Sequence, residues 1–362
     1  METHAIPRGH WFDDDDFRTL VREVMELRPR SWSLAEVERA TSAPGWELRE
    51  PRAVGDRVWR RFAPRTGPSY GYGLLESDAS DPERIRRLHL SLIDLPDEDE
   101  EAFAVADRIR AAWWVMEDEL GPPAMWGGYS GPWMLWRRTE AGDPRLAALP
   151  DLLLHAHDDG RMSLDLLPPG SDADAVGRAA VRGRWYATEP SGLPPSPAPT
   201  ATALPGATWE DVEKRLAQAL RRLGHDTPLL PGRFILHLGA ADDPQRFVQC
   251  WSQDLGLVIE ATGFLHHPDA ANPAQLARNG WDFSRSIWQR RFPDAMKDPE
   301  HATVAARLLV EELRHLGVEL ADLSYDGTIS GRGRGFHLEL PDLLVPRVHQ
   351  PPAPATAPGS RP

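Results

Sequence analysis

The stretch from Arg246 to Leu316 decides the fold, because it carries two apolar segments of strand length close together. These are Arg246–Ser252 (RFVQCWS) and Gly256–Ala261 (GLVIEA). A polar segment ending in Asn279–Trp281 (NGW) follows, and then Ile287–Phe292 (IWQRRF) and a long amphipathic segment. Two strands, a short helix, a third strand and a long helix predict a compact α+β unit built on an antiparallel sheet.

The length of 362 residues predicts two domains, each large enough to bury its own core. Residues 188–207 are rich in proline and predict an extended linker, and residues 346–362 predict a disordered Pro/Ala-rich tail. The first domain then spans residues 10–187 and the second spans residues 208–345. We expect each of them to be an antiparallel sheet with helices packed on one face.

Elements of the first domain are predicted from the same kinds of pattern. Strand candidates lie at Arg57–Phe62, Tyr70–Glu76 and Leu88–Leu95, and an apolar stripe from Phe103 to Leu120 predicts a long helix. In the second domain, Thr208 and Asp211 form a capping-box pattern that predicts the start of a helix. The sequence therefore predicts an α+β class for both halves.

The charge and the cysteine count exclude several classes of function. A net charge of −14 argues against a general nucleic-acid-binding protein, which needs a basic surface. Cys250 is the single cysteine, so cysteine-cluster metal sites and intramolecular disulfides are excluded. No apolar run approaches the ~18 residues that a membrane helix needs, and the N-terminus lacks the apolar core of a signal peptide. We therefore expect a cytoplasmic protein without a membrane partner.

Histidine and glycine motifs offer weak candidates for chemistry. His155 and His157 are two residues apart on a predicted strand and precede Asp158 and Asp159, so they could ligate a metal. A pair of exposed strand residues before an acidic turn is the simpler interpretation. Residues 330–335 (SGRGRG) resemble a phosphate loop, but a strand follows them where a helix is required. We therefore predict no catalytic residues, no metal site and no cofactor.

The second domain resembles the TY-Chap family of actinobacteria, which is grouped with the type III secretion (Tir) chaperones and the YbjN-like proteins. The resemblance rests on residues 246–249 (RFVQ), 257–261 (LVIEA) and 276–281 (LARNGW), and on Trp288 before Phe292. It implies a chaperone-like fold that binds another polypeptide, in secretion or in toxin–immunity systems, and it carries no catalytic residues. The first domain resembles an uncharacterised actinobacterial domain family through its residues 32–34, 45–46 and 133–138.

These observations favour a non-enzymatic protein-binding module, either secretion-chaperone-like or immunity-like. The partner would be a secreted effector, a toxin or another system component, and homodimerisation is plausible because related chaperones often dimerise. Trp and Arg are typical interface anchors, so we predict partner binding by Trp251, Trp281, Trp288 and Arg290. One alternative is an enzyme or small-ligand-binding protein with a site between the domains, near His155, His157 or Arg332. Another is a scaffold that binds only through its Pro-rich segments.

Overall fold

A computed structural model describes most of the chain. The described residues are 13–29, 31–42, 46–54, 57–63, 73–78, 81–93, 102–128, 131–137, 149–170, 184–188, 207–293, 295, 298–331 and 334–347. Most of the predicted linker, most of the predicted tail and Arg332 lie outside these ranges. The helices in the described part are α1 (Asp14–Glu26), α2 (Leu34–Ser42), α3 (Ala102–Leu120), α4 (Trp209–Asp226), α5 (Pro273–Arg278) and α6 (Pro299–His315).

The strands divide into a first-half and a second-half set. The first-half set is β1 (Glu47–Val54), β2 (Arg57–Ala63), β3 (Gly73–Asp78), β4 (Asp81–Ile93), β5 (Met125–Gly128), β6 (Pro132–Trp136), β7 (Asp151–Ala156), β8 (Met162–Leu167) and β9 (Trp185–Thr188). The second-half set is β10 (Gly232–Ala240), β11 (Phe247–Gln253), β12 (Gly256–Glu260), β13 (Asp282–Ser284), β14 (Ile287–Phe292), β15 (Leu323–Gly331) and β16 (Arg334–Glu339). The predicted α+β class is confirmed.

All sixteen of these strands form one sheet, in the order β1-β2-β3-β4-β8-β7-β6-β5-β9-β16-β15-β10-β11-β12-β14-β13. Strand β9 makes the sheet continuous, because it pairs antiparallel with β5 on one side and with β16 on the other. The two predicted sheets are therefore joined edge to edge through their backbones. The division into domains at residues 187 and 208 remains a proposal.

Helices α4 and α6 pack together on one face of the second-half sheet, and the sequence explains both their ends and their buried faces. Thr208 and Asp211 form the predicted capping box, which satisfies amide groups at the start of α4. Asp298 caps α6, and Pro299 occupies its first turn. Along β10 the buried residues alternate with exposed or half-buried ones, as expected for a sheet covered on a single face.

In the first half, strands β6, β7 and β8 are buried on both faces of the sheet. Leu88 and Leu90 on β4 belong to the main core, together with Trp113 of α3. On the opposite face, four fully buried residues form a second, smaller apolar cluster: Trp133, Leu135, Leu153 and Leu167. Near-continuous burial along β6, β7 and β8 is the pattern expected of strands covered on both faces.

The end of α4 and the short turn after it form side-chain contacts between the halves. Trp113 donates its indole N–H to the carbonyl of Leu229 at 2.8 Å. Trp185, on the joining strand β9, donates to the buried carboxylate of Asp226 at 2.9 Å. Gly128 is required beside this contact, since a Cβ there would lie 2.1 Å from Oδ2 of Asp226. The junction thus depends on backbone pairing and on buried side chains together.

Candidate functional site

The sheet ends at a short hairpin formed by β13 and β14. Strand β13 is the terminal strand in the sheet order, so no described strand pairs with its outer edge. The turn consists of Arg285 and Ser286, whose φ angles are 53° and 68°. Two consecutive positive φ values indicate a type I′ turn, whose twist matches that of a hairpin. Non-glycine residues in this conformation cost about 1 kcal/mol each, so the hairpin geometry is kept against a local penalty.

Backbone hydrogen bonds in the hairpin alternate between residue pairs, and this leaves the N–H and C=O of one β13 residue pointing outward. Ser284 pairs with Ile287 next to the two-residue turn, and Phe283 pairs with Trp288 one step further on. In such a hairpin the pair flanking the turn exchanges backbone hydrogen bonds, and the next pair does not. The N–H and C=O of Phe283 therefore point away from β14, toward the free edge of the sheet.

Phe283 also carries the most exposed large apolar side chain among the described residues, with 62% of its surface accessible. Its ring lies on that of Trp288, with centroids 5.1 Å apart and planes tilted by 51°. Trp288 is half-buried and packs against the main core. The pair is therefore an aromatic platform whose inner ring is fixed and whose outer ring faces solvent.

Arg290 lies two residues beyond Trp288, on the same face of β14. Its guanidinium donates to the backbone carbonyl of Asn279 and lies 5.1 Å from the centroid of the Phe292 ring. Gly280, at φ 77°, makes room for it, because a Cβ there would be 3.0 Å from Nη1 of Arg290. Arg290 is thus held in place, and within the described part of the chain its guanidinium makes no other hydrogen bond.

The other predicted anchors lie elsewhere. Trp281 is only 2% exposed and belongs to the core, and its backbone N–H closes α5 by bonding to the carbonyl of Leu276 at 3.0 Å. It offers almost no surface to a partner. Trp251 is half-buried on the face of the sheet opposite α4 and α6, in a row between Ile235 and Val258. The structure brings together Trp288 and Arg290, and it adds Phe283, which the sequence analysis did not single out.

Cys250 lies on the helix-covered face of β11 and is fully buried. Burial raises the pKa of its thiol above the ordinary value, and the charge of Glu260 adds to the effect. A raised pKa disfavours the nucleophilic thiolate. The thiol therefore acts as a small apolar side chain, as the strand pattern around it indicates.

The histidines predicted as an alternative site lie in the first half. The rings of His155 and His157 are in contact, with centroids 4.1 Å apart, and Nε2 of His157 is 3.1 Å from the Ser163 hydroxyl. Nearby, the buried carboxylate of Asp165 lies 2.6 Å from Nδ1 of His89. Burial would raise the pKa of Asp165, but the charges of His89 and Arg87 hold that pKa well below its usual range.

This polar network does not coincide with the cavity found in the same half. That cavity has a volume of about 160 Å³ and is lined mainly by apolar side chains, among them Phe17, Leu92 and Met162. Leu92 belongs to the core-facing side of β4, whereas His89 faces the other side of the sheet. The histidine network and the cavity are therefore on opposite faces, and we interpret the network as a hydrogen-bonded part of the second apolar layer.

One group of side chains has the spacing of metal ligands. Ligand atoms of Asp158, His225 and Asp226 all lie within 4.8 Å of one another. The guanidinium of Arg222 lies 2.7 Å from Asp158 and 3.5 Å from Asp226, and it balances their charge. Burial would lower the pKa of His225, but its hydrogen bond with Asp226 raises it. The group is thus an ion-pair network at the junction between the halves.

Residues 203–328 match the model of a family described as T3SS (YopN, CesT) and YbjN peptide-binding chaperone 3, TY-Chap3. The match covers about a third of the chain and includes the β13–β14 hairpin. No match was found among curated proteins or among solved structures. The resemblance stated for this half is confirmed and supports a peptide-binding, chaperone-like role in general, whereas that of the first half remains a prediction. No helix in the described ranges is long and apolar enough to cross a bilayer.

Proposed function

We propose that the second half of the chain binds an extended segment of another protein, which adds as a strand to the outer edge of β13. One observation supports this most directly. At Phe283, a backbone N–H and C=O directed to the free edge coincide with a ring that is 62% exposed and lies on Trp288. In strand addition, main-chain hydrogen bonds supply affinity, and alternate side chains supply specificity.

The exposed edge needs a functional explanation because sheet edges invite aggregation. Proteins usually protect edge strands with charges, prolines or a covering element, and they seldom place a large apolar side chain there. Asp282 gives β13 one charge, but the neighbouring Phe283 ring remains exposed. A partner strand would satisfy the outward backbone groups and cover this ring in a single step.

The predicted anchors then take different roles. Trp288 supports the Phe283 ring, and Arg290 offers N–H donors on the same face of the hairpin. Trp281 holds the base of the hairpin from the core. Trp251, on the opposite face, would contact only a partner that extends beyond the edge. This function requires no catalytic residue and no cofactor, and we propose that it operates in the cytoplasm on a secreted effector, a toxin or another system component.

Panning a library of displayed random peptides against the purified protein tests this function. We expect peptides that bind the natural protein to lose affinity for the Phe283→Ala variant. The expected loss is about 2 kcal/mol, or roughly 30-fold in Kd, since a central aromatic anchor is removed. Trp288→Ala should weaken the same peptides, because the Phe283 ring loses its support.

Ile235→Ala is the matched control. Ile235 is also an exposed large apolar residue, at 38%, but it lies on β10, four strands from β13. The proposal fails if the selected peptides lose affinity for Ile235→Ala and retain it for Phe283→Ala. It also fails if Phe283→Ala only breaks contact between copies of this chain, which analytical ultracentrifugation of the two proteins would detect.

A further inference from the structure

The hairpin that forms the edge is locally basic, although the whole chain is strongly acidic. Residues 282–292 contain Arg285, Arg290 and Arg291 against the single carboxylate of Asp282, which gives a formal charge of three minus one, or +2. The complete chain carries −14. A basic edge in an acidic protein indicates that this edge prefers an acidic partner, which the overall charge of the chain would not favour.

Two of these arginines have no partner among the described residues. Arg285 in the turn and Arg291 near the end of β14 are both exposed, and neither forms an ion pair or side-chain hydrogen bond in the described part of the chain. The half-buried Arg246, by contrast, is paired with Asp242 and Asp243. Two guanidinium groups without a described partner therefore lie on the hairpin.

These arginines lie on both sides of the aromatic platform along the edge. Arg285 follows β13 at the turn, whereas Arg290 and Arg291 lie toward the opposite end of the hairpin. Strand residues advance about 3.3 Å each, so a strand added opposite Phe283 places its residues toward the turn within reach of Arg285. Arg291 pairs with Val258 on the opposite face of the sheet, three residue pairs from Phe283, and it adds positive charge from farther away. An apolar residue would lie on the ring, a carboxylate toward the turn would meet Arg285, and one on the other side would face the positive charge of Arg290 and Arg291.

We propose that the segment added to β13 has an apolar residue flanked by Asp or Glu residues. This inference rests on the proposed strand addition and specifies the chemistry of the partner. The net charge of −14 repels acidic peptides at long range, but the Debye length is only about 8 Å at physiological ionic strength. At contact distance the unpaired arginines dominate, and they favour carboxylates.

The sequences of the Phe283-dependent peptides from the panning experiment test the inference. We expect these peptides to be enriched in Asp and Glu next to an apolar residue, relative to the unselected library. Absence of such enrichment, or enrichment in Lys and Arg, overturns the acidic preference and leaves strand addition intact. If no Phe283-dependent peptide is recovered, both the inference and the proposed function are wrong.

A double variant then assigns the preference to the free arginines. Arg285→Gln with Arg291→Gln should weaken a selected acidic peptide by about threefold per arginine at low salt, the effect of an exposed ion pair. Arg233→Gln is the matched control, since Arg233 is also exposed and has no side-chain partner among the described residues, but it lies on β10, about 19 Å from β13 at the usual strand spacing. An equal effect of Arg233→Gln would show a general charge effect and overturn the assignment.

Discussion

Replacing Asp226 by alanine is expected to lower the free energy of unfolding by about 3–5 kcal/mol, because it leaves buried polar groups without their acceptor. The carboxylate is fully buried and accepts from Trp185 at 2.9 Å, with Nδ1 of His225 at 3.0 Å. Trp185 is itself fully buried, so its indole N–H has no access to water. Chemical denaturation of the natural and variant proteins measures the loss.

Asp158→Ala is the control within the same network. Asp158 also pairs with Arg222, but its side chain is 46% exposed, and an exposed ion pair contributes only about 0–1 kcal/mol. A small loss of unfolding free energy for Asp226→Ala, similar to that for Asp158→Ala, would contradict the conclusion that the buried contact at Asp226 stabilises the junction between the halves. A large loss for Asp226→Ala alone would support it.

Phe283→Pro is expected to abolish peptide binding while leaving the fold intact. Proline lacks the backbone N–H that would donate a hydrogen bond to the added strand. In folded sheets, proline is tolerated on edge strands when the missing N–H would face solvent. The pairing of Phe283 with Trp288 directs the N–H of residue 283 toward solvent. The variant should therefore unfold at nearly the same denaturant concentration as Phe283→Ala.

Comparison with Phe283→Ala separates the backbone contribution from that of the ring. Both variants lose the aromatic side chain, and only the proline variant also loses the donor. We expect Phe283→Pro to bind selected peptides at least tenfold more weakly than Phe283→Ala, because one hydrogen bond is lost and a buried acceptor is left unpaired. Equal affinities, measured by fluorescence anisotropy, would mean that peptides contact the ring without joining the sheet.

Much of the second half could be predicted from local patterns. Apolar segments of strand length located β11 and β12, and the capping residues Thr208 and Asp211 located the start of α4. These signals act over a few residues, so the sequence contains them directly. The family resemblance extended the prediction to a chaperone-like fold, and residues 203–328 match that family.

The continuity of the sheet could not be predicted in the same way. Strands β5 and β9 have four residues each, too few to show a periodicity. The pairing of β5 with β9, and of β9 with β16, joins residues far apart in sequence, and register across such distances is set by packing. The predicted domain boundary, after residue 187, falls one residue before the end of β9, at the point where a linker composition begins.

The candidate site was missed for a related reason. Short hairpins are usually recognised by Asn-Gly or Asp-Gly in the turn, whereas Arg285 and Ser286 carry no such signal. Without the turn, Asp282–Ser284 did not appear as a strand, and Phe283 did not appear as an edge residue. Tryptophan content alone also could not separate buried Trp281 from half-buried Trp288, because both fit apolar patterns.

Amide hydrogen exchange at Phe283, followed by NMR with and without a selected peptide, tests strand addition most directly. The Phe283 amide is expected to exchange quickly in the free protein and to become strongly protected when the peptide binds, since its N–H then donates to the new strand. Unchanged exchange at Phe283, with protection appearing instead on β10 and β11 around Ile235 and Trp251, would contradict it.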